Sequence, residues 1–144
     1  MADNVFEDYK RRLFGCLDLV DWSPVFRLAD DIKLLWEEER QIFLCGNGGS
    51  AANAIHIAND FLYPLAKING KGIKVTALSA NQAVITCLGN DVGYENIFSF
   101  QLETLGKQGD VLIILSGSGN SPNILKAADA AKRIGIKTYA FLGF

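Results

Sequence analysis

Histidine occurs once in this 144-residue chain, at His56, and cysteine only three times. Cys16, Cys45 and Cys87 lie far apart with no short paired spacing, which excludes a zinc knuckle, a CxxC redox pair and an evenly paired disulfide framework; all three read as reduced. No apolar run approaches the roughly 18 residues of a membrane span, and the amino terminus is acidic rather than basic. The chain therefore reads as cytoplasmic, with no membrane partner. Positive charge is also sparse: the net charge is −2, and the one dense basic cluster, Lys10-Arg11-Arg12, shares its predicted helix with Asp3, Glu7 and Asp8. A nucleic-acid partner lacks its electrostatic footprint. Low-complexity stretches, internal linkers and convincing repeats are missing as well.

What is present is an apolar half. Hydrophobic residues make up 49% of the chain, enough for one sizeable core, and the length fits a single domain over residues 1–144 with 1–39 as an amino-terminal helical segment. Residues 4–19 read as one helix. A second opens with Ser23 as N-cap and Pro24 at the first helical position, and carries Val25, Leu28, Ala29, Ile32, Leu35 and Trp36 on one stripe. Its end, Glu37-Glu38-Glu39-Arg40, reads as a solvated face.

Four short runs rich in Ile, Val, Leu and Phe follow: Gln41 to Cys45, Ile73 to Leu78, Val111 to Leu115 and Lys137 to Leu142. They read as buried parallel strands. Helix-like segments near 50–63, 81–89, 94–105 and 122–134 lie between them. This alternation predicts an α/β fold, a right-handed βαβ sheet with helices on both faces, in which ligands bind beyond the carboxyl ends of the strands.

Two Gly/Ser loops fall at such ends. Cys45-Gly46-Asn47-Gly48-Gly49-Ser50 and Ser116-Gly117-Ser118-Gly119-Asn120-Ser121-Pro122 each hand a strand over to a helix, whose free N–H groups and partial positive charge favour an anion. The first loop also reads as a plain tight turn using Gly48 and Gly49 for unusual backbone angles. Its Gly46, Gly48 and Ala51 satisfy a loose GxGxxG/A spacing, but Leu78-Ser79 ends the next strand with no carboxylate for a ribose, so no nucleotide cofactor is expected. The second loop lacks a lysine at the Walker position. Its Ser116, Ser118 and Ser121 offer neutral hydroxyl donors suited to a sugar phosphate, with Gly117 and Gly119 allowing close backbone approach; a structural serine turn is the competing reading.

His56 and Asp60 are four residues apart and share a helix face. A lone helix histidine is more often a packed, hydrogen-bonded one, and Asp60 reads also as a plain surface carboxylate; as a base and an electrophile, the two would suit aldose–ketose proton transfer. Gly89-Asn90-Asp91 reads as a helix C-cap and turn, or as a group that binds sugar hydroxyls.

Together, Gly46-Asn47-Gly48-Gly49-Ser50-Ala51-Ala52, His56, Gly89-Asn90-Asp91-Val92-Gly93-Tyr94 and the Ser116 to Pro122 loop resemble the sugar isomerase (SIS) domain of phosphoheptose isomerases, in order and spacing over about residues 30–144. The resemblance implies a Rossmann-like three-layer α/β/α sandwich with a parallel sheet, preceded by amino-terminal helices. It further implies a homotetramer with active sites between subunits, and isomerisation of sedoheptulose 7-phosphate to D-glycero-D-manno-heptose 7-phosphate for bacterial surface polysaccharide. By carry-over, Ser116, Gly117, Ser118 and Ser121 hold the phosphate, Asn47, Gly48, Gly49 and Ser50 the reacting end, and Asn90 and Asp91 the hydroxyls. His56 and Asp60 match positions for catalysis and for a Zn2+ ion.

Two departures from the family pattern stand out. Asp60 replaces the usual glutamate and is one methylene shorter, which matters where a proton must pass within about 3 Å. Family members also continue into a further strand and a helix bearing a glutamine and a second histidine, so a chain stopping at Leu142-Gly143-Phe144 is expected to be a piece of a longer protein or a shortened member. Two other readings stay open: a non-catalytic SIS module that binds a sugar phosphate or a protein, similar to the DnaA-initiator-associating protein, and another SIS reaction on an amino-sugar phosphate.

Overall fold

The computed structural model describes residues 2–143; Met1, Phe144 and the side chains of Ala2 and Asp3 lie outside that description. The chain divides into two compact units, up to Asp31 and from Ile32 onward.

The first unit contains helix α1 (Ala2–Asp18) and the opening of α2 (Ser23–Glu37). The basic cluster is met on its own helix, Lys10 by Glu7 at 3.2 Å and Arg11 by Asp8, both pairs exposed. Such exposed pairs add little stability. Val5, Phe6, Tyr9, Leu13, Phe14 and Leu17 are exposed along α1. The start of α2 differs from expectation. Ser23 does not cap it; its N–H and Oγ both donate to the Asp21 carboxylate at 2.9 Å, while the amides of Val25 and Phe26 bond the Trp22 carbonyl. The Asp21 carboxylate takes two donors at once near the helix's positive end, and with its hydroxyl drawn there Ser23 does not turn to the amides of its own helix. The Ser23 amide and then its hydroxyl hold the Asp21 carboxyl below its ordinary range. On the predicted stripe Leu28 and Leu35 are buried, Ile32 and Trp36 half-buried, and Val25 and Ala29 exposed.

The second unit is built on four parallel strands, β1 (Gln41–Cys45), β2 (Lys74–Ala77), β3 (Val111–Ser116) and β4 (Lys137–Leu142), in the order β2-β1-β3-β4. Helices α3 (Gly49–Leu62) and α4 (Pro64–Asn69) join β1 to β2; α5 (Gln82–Asp91), a 3-10 turn (Tyr94–Asn96) and α6 (Ser99–Leu105) join β2 to β3; α7 (Pro122–Ile134) joins β3 to β4. The first crossover leads away from β3, while the second passes back over β1 to β3 and the third continues in the same direction to β4, so right-handed connections place α3 on one face and α5 to α7 on the other. This is a three-layer α/β/α sandwich. On the second face Phe43, Cys45, Leu112 and Ile114 pack with Leu88, Ile97, Phe98, Leu102, Ile124 and the small Ala127 and Ala131.

Several boundaries move for packing reasons. The expected helix over 94–105 breaks at Ile97 and Phe98, both 1% exposed, because the chain turns there to drop these side chains into the core. Helix α4 was not anticipated; Pro64 seeds its first turn and Gly70, at φ 77°, ends it. Strand β4 is not buried as expected: as an edge strand it has one neighbour, and Phe141 and Leu142 are 47% and 58% exposed. Among the described residues no helix is long and apolar enough to cross a membrane.

Candidate functional site

Strand order places the site. Because β1 and β3 are neighbours whose connections depart in opposite directions, a crevice opens beyond their carboxyl ends, the usual ligand position in such sheets. Both Gly/Ser loops lie at this crevice, with Cys45 of β1 paired to Ile114 of β3 just below them. The contact is tight: a Cβ on Gly46 would lie 2.8 Å from the Leu115 carbonyl oxygen and equally close to Ser50. Gly48 sits at φ 55°, ψ −121°, a conformation that side chains disfavour. Gly49 and Gly117 differ from expectation, for each has an ordinary φ and open space around it.

Neither helix start is capped by a side chain. Gly48 precedes α3 and Ser121 precedes α7 without such a bond, and neither first turn carries an acidic residue. In the first loop the Asn47 carbonyl accepts from the amides of Ser50 and Ala51, while those of Gly48 and Gly49 have no partner among the described residues. In the second, Ser116 Oγ accepts from the Gly119 amide at 3.1 Å and Ser118 Oγ from the Asn120 amide at 3.3 Å. A hydroxyl that accepts from its own loop keeps its proton to donate outward. Ser121 Oγ has no partner among the described residues. Two helix termini, with their partial positive charge, thus face one rim with donors to spare.

A reciprocal amide pair ties the loops together. Asn47 Nδ2 donates to Asn123 Oδ1 at 2.9 Å, Asn123 Nδ2 donates back at 2.8 Å, and the Tyr94 hydroxyl adds a bond to Asn47 Oδ1 at 3.2 Å. These residues line a cleft of about 720 Å³ with Glu95, Ser121, Pro122 and Lys126. Lys126 Nζ donates to Asn96 Oδ1 at 2.9 Å and lies 3.5 Å from Glu95. The Glu95 carboxyl is held below its ordinary range by its own backbone amide and then by the Lys126 charge. Asn123 and Lys126 escaped the sequence reading. The available signal was an asparagine just inside the proline of a helix start, where asparagine is a poor helix former and so tends to serve another purpose. Ser79, just past β2, also has a buried hydroxyl without a partner among the described residues.

The remaining predicted residues lie on α3 and α5. His56 lies about 10 Å and Asp60 about 16 Å along α3 from Gly49. Their side chains meet at 3.4 Å between Nε2 and Oδ2, and are 76% and 49% exposed. Asn90 and Asp91 do not follow α5 but form its last turn, since the helix runs through Gly89 to a C-cap at Val92. Asp91 accepts from Asn90 at 2.7 Å and from the Cys87 thiol at 3.3 Å, and these bonds, in that order, lower its carboxyl's pKa.

Comparison with known proteins shows the family. A profile of the SIS domain matches residues 9–143. The phosphoheptose isomerase of Helicobacter pylori (strain HPAG1) is 44% identical over 138 residues, covering 96% of this chain and 71% of its own length. The chain belongs to the SIS domain family, among the phosphoheptose isomerases. That of Clostridium acetobutylicum is 50% identical over 104 residues, 72% of this chain and 53% of its own. A solved phosphoheptose isomerase from Neisseria gonorrhoeae superposes with a TM-score of 0.84 at 30% identity, over 98% of this chain and 72% of that one. The chain spans about half to two thirds of the length of most of these curated relatives.

Within this SIS chain, a zinc site would need about four ligands. His56 and Asp60 are two, and among the described residues no three His, Cys, Asp or Glu side chains converge. These residues alone do not fit a zinc centre.

Proposed function

We propose that this chain carries the sugar-phosphate site of an aldose–ketose isomerase acting on sedoheptulose 7-phosphate to give D-glycero-D-manno-heptose 7-phosphate. The observation that carries the reading is the pair of uncapped helix starts, α3 and α7, held side by side at the β1/β3 crevice by Asn47 and Asn123. In this reading Ser116, Gly117, Ser118 and Ser121 hold the phosphate. The amides of Gly48 and Gly49, Ser50 and the spare N–H of Asn47 face the reacting end, and Asn90 and Asp91 meet chain hydroxyls.

Isomerisation moves one proton between neighbouring carbons. A base takes a proton from C1 of the ketose and the freed pair forms the C1=C2 bond of an enediolate with its charge on O2; the O1 hydroxyl proton passes to O2, and the base returns its proton to C2 as the C1 carbonyl forms. We assign the base to Asp60, with His56 beside it to polarise the carbonyl. Both are exposed and lie well along α3, so their use at a pocket fits a homo-oligomer in which subunits complete one another's sites. In keeping with this, residues 1–39 are proposed as the helical segment of one SIS domain over residues 1–144.

Incubation with sedoheptulose 7-phosphate in deuterated water, with and without added zinc, tests the reading by exchange at C1. Exchange lost in Asp60→Asn and kept in Asp129→Asn, which alters an exposed carboxylate on α7, supports the assignment; equal loss in both refutes it. A second reading, binding without turnover, is favoured by the short arm of Asp60 and its engagement with His56. Tight binding with no exchange would select it.

A further inference from the structure

We propose that Asn123 is a positioning residue: through its amide pair with Asn47 it locks the β1 loop to the start of α7 and sets the separation of the two anion-facing helix termini. The inference rests on the sugar-phosphate reading above and adds to it the part that makes the two loops act as one site.

Asn123 is 1% exposed at the second position of α7, yet its side chain leaves its own helix uncapped. Both its polar atoms are spent on a residue 76 positions earlier, at 2.9 and 2.8 Å. An amide is the only side chain of this size offering a donor and an acceptor side by side, and here each amide satisfies the other. Tyr94 fills the second lone pair of Asn47 Oδ1. Asn47 keeps one N–H.

Asn47 is also the residue through which the first loop can be moved. It lies between Gly46, pressed against the Leu115 carbonyl, and Gly48, turned to positive φ. Its carbonyl holds the amides of Ser50 and Ala51, the first turn of α3. When the Asn47 side chain is released, the amides of Gly48 and Gly49 lose their fixed position relative to Ser118 and Ser121. A ligand that spans both loops feels that loss. One that rests only on the serine loop does not.

The distinction supplies the test. Sedoheptulose 7-phosphate and inorganic phosphate are titrated by calorimetry into the 144-residue chain and its Asn123→Ala, Asn47→Ala and double variants. Each single change is expected to weaken the sugar phosphate about tenfold, as for an orphaned buried hydrogen-bonding group, with the double variant no worse than the weaker single. Inorganic phosphate should stay within about twofold of the unaltered chain. Losses that multiply in the double variant, or that are equal for the two ligands, overturn the proposal.

Tyr94→Phe removes one bond from an exposed ring and should leave the fold intact, so it decides the matter should Asn123→Ala melt. A loss of about threefold confined to the sugar phosphate supports the latch; no loss, or the same loss for both ligands, overturns it. If the unaltered chain binds neither ligand, the sugar-phosphate reading itself falls, an outcome the variants cannot imitate.

Discussion

Three glycines in one loop should respond differently to the same added methyl group. At Gly46 a Cβ would sit 2.8 Å from the Leu115 carbonyl oxygen and from Ser50 C and Cβ. These are backbone or short side-chain atoms that cannot swing aside, so Gly46→Ala must push β1 and β3 apart. Overpacking of this kind costs about 1–3 kcal/mol, or roughly 3–9 °C in Tm for a chain of this length. At Gly48 there is space, but alanine held at φ 55°, ψ −121° would sit in a sparsely populated backbone region at a cost of about 1–3 kcal/mol. Gly49 has neither restriction. Gly49→Ala should be neutral or stabilising by up to about 1 kcal/mol, because it narrows the unfolded ensemble. Urea unfolding of the three variants, with unchanged m-values as the check on two-state behaviour, gives the ranking. A Gly49→Ala as damaging as Gly46→Ala would refute the loop geometry from which the anion site is argued.

Two further predictions concern the cysteines. Burial pushes the Cys45 thiol from 9.0 up to about 12, so between those pH values the folded chain keeps a proton that the unfolded chain releases. Stability should therefore fall as pH rises through that window, and Cys45→Ala should flatten the fall; a slope equal to that of the unaltered chain would contradict the assignment. The Cys87 thiol is raised by its hydrogen bond to Asp91 and then by that residue's charge. Asp91→Asn should accelerate alkylation of Cys87 at pH 8 by increasing its thiolate fraction, followed by peptide mass, while Cys45 stays unreacted in the folded chain. Unchanged Cys87 alkylation would show that the Cys87–Asp91 contact does not persist in solution.

Legibility differed from element to element. Strands β1 and β4 and helix α7 have the bounds read from the sequence, since apolar runs ended by Gly, Ser or Pro carry their own start and stop signals. Ser23 does not cap α2 because its hydroxyl and amide both turn to the Asp21 carboxylate, a contact that residue type alone does not foretell. Ile97 and Phe98 lie inside what reads as a continuous helix; only the core they enter breaks it. At the site, the loop residues were legible from turn chemistry, whereas Asn123 and Lys126 resemble ordinary helix residues until their partners, Asn47 and Asn96, are seen opposite them.

Local chemistry along the chain was thus sufficient for the alternation of strands and helices and for two phosphate-suited turns, because periodicity, glycine and proline act within a few residues of one another. It could not say that β1 and β3 would be neighbours. Strand order is settled by which faces bury best over the whole sheet. That order brings residues 47 and 123 within hydrogen-bond reach, leaves β4 exposed at the edge, and makes one rim out of two distant loops.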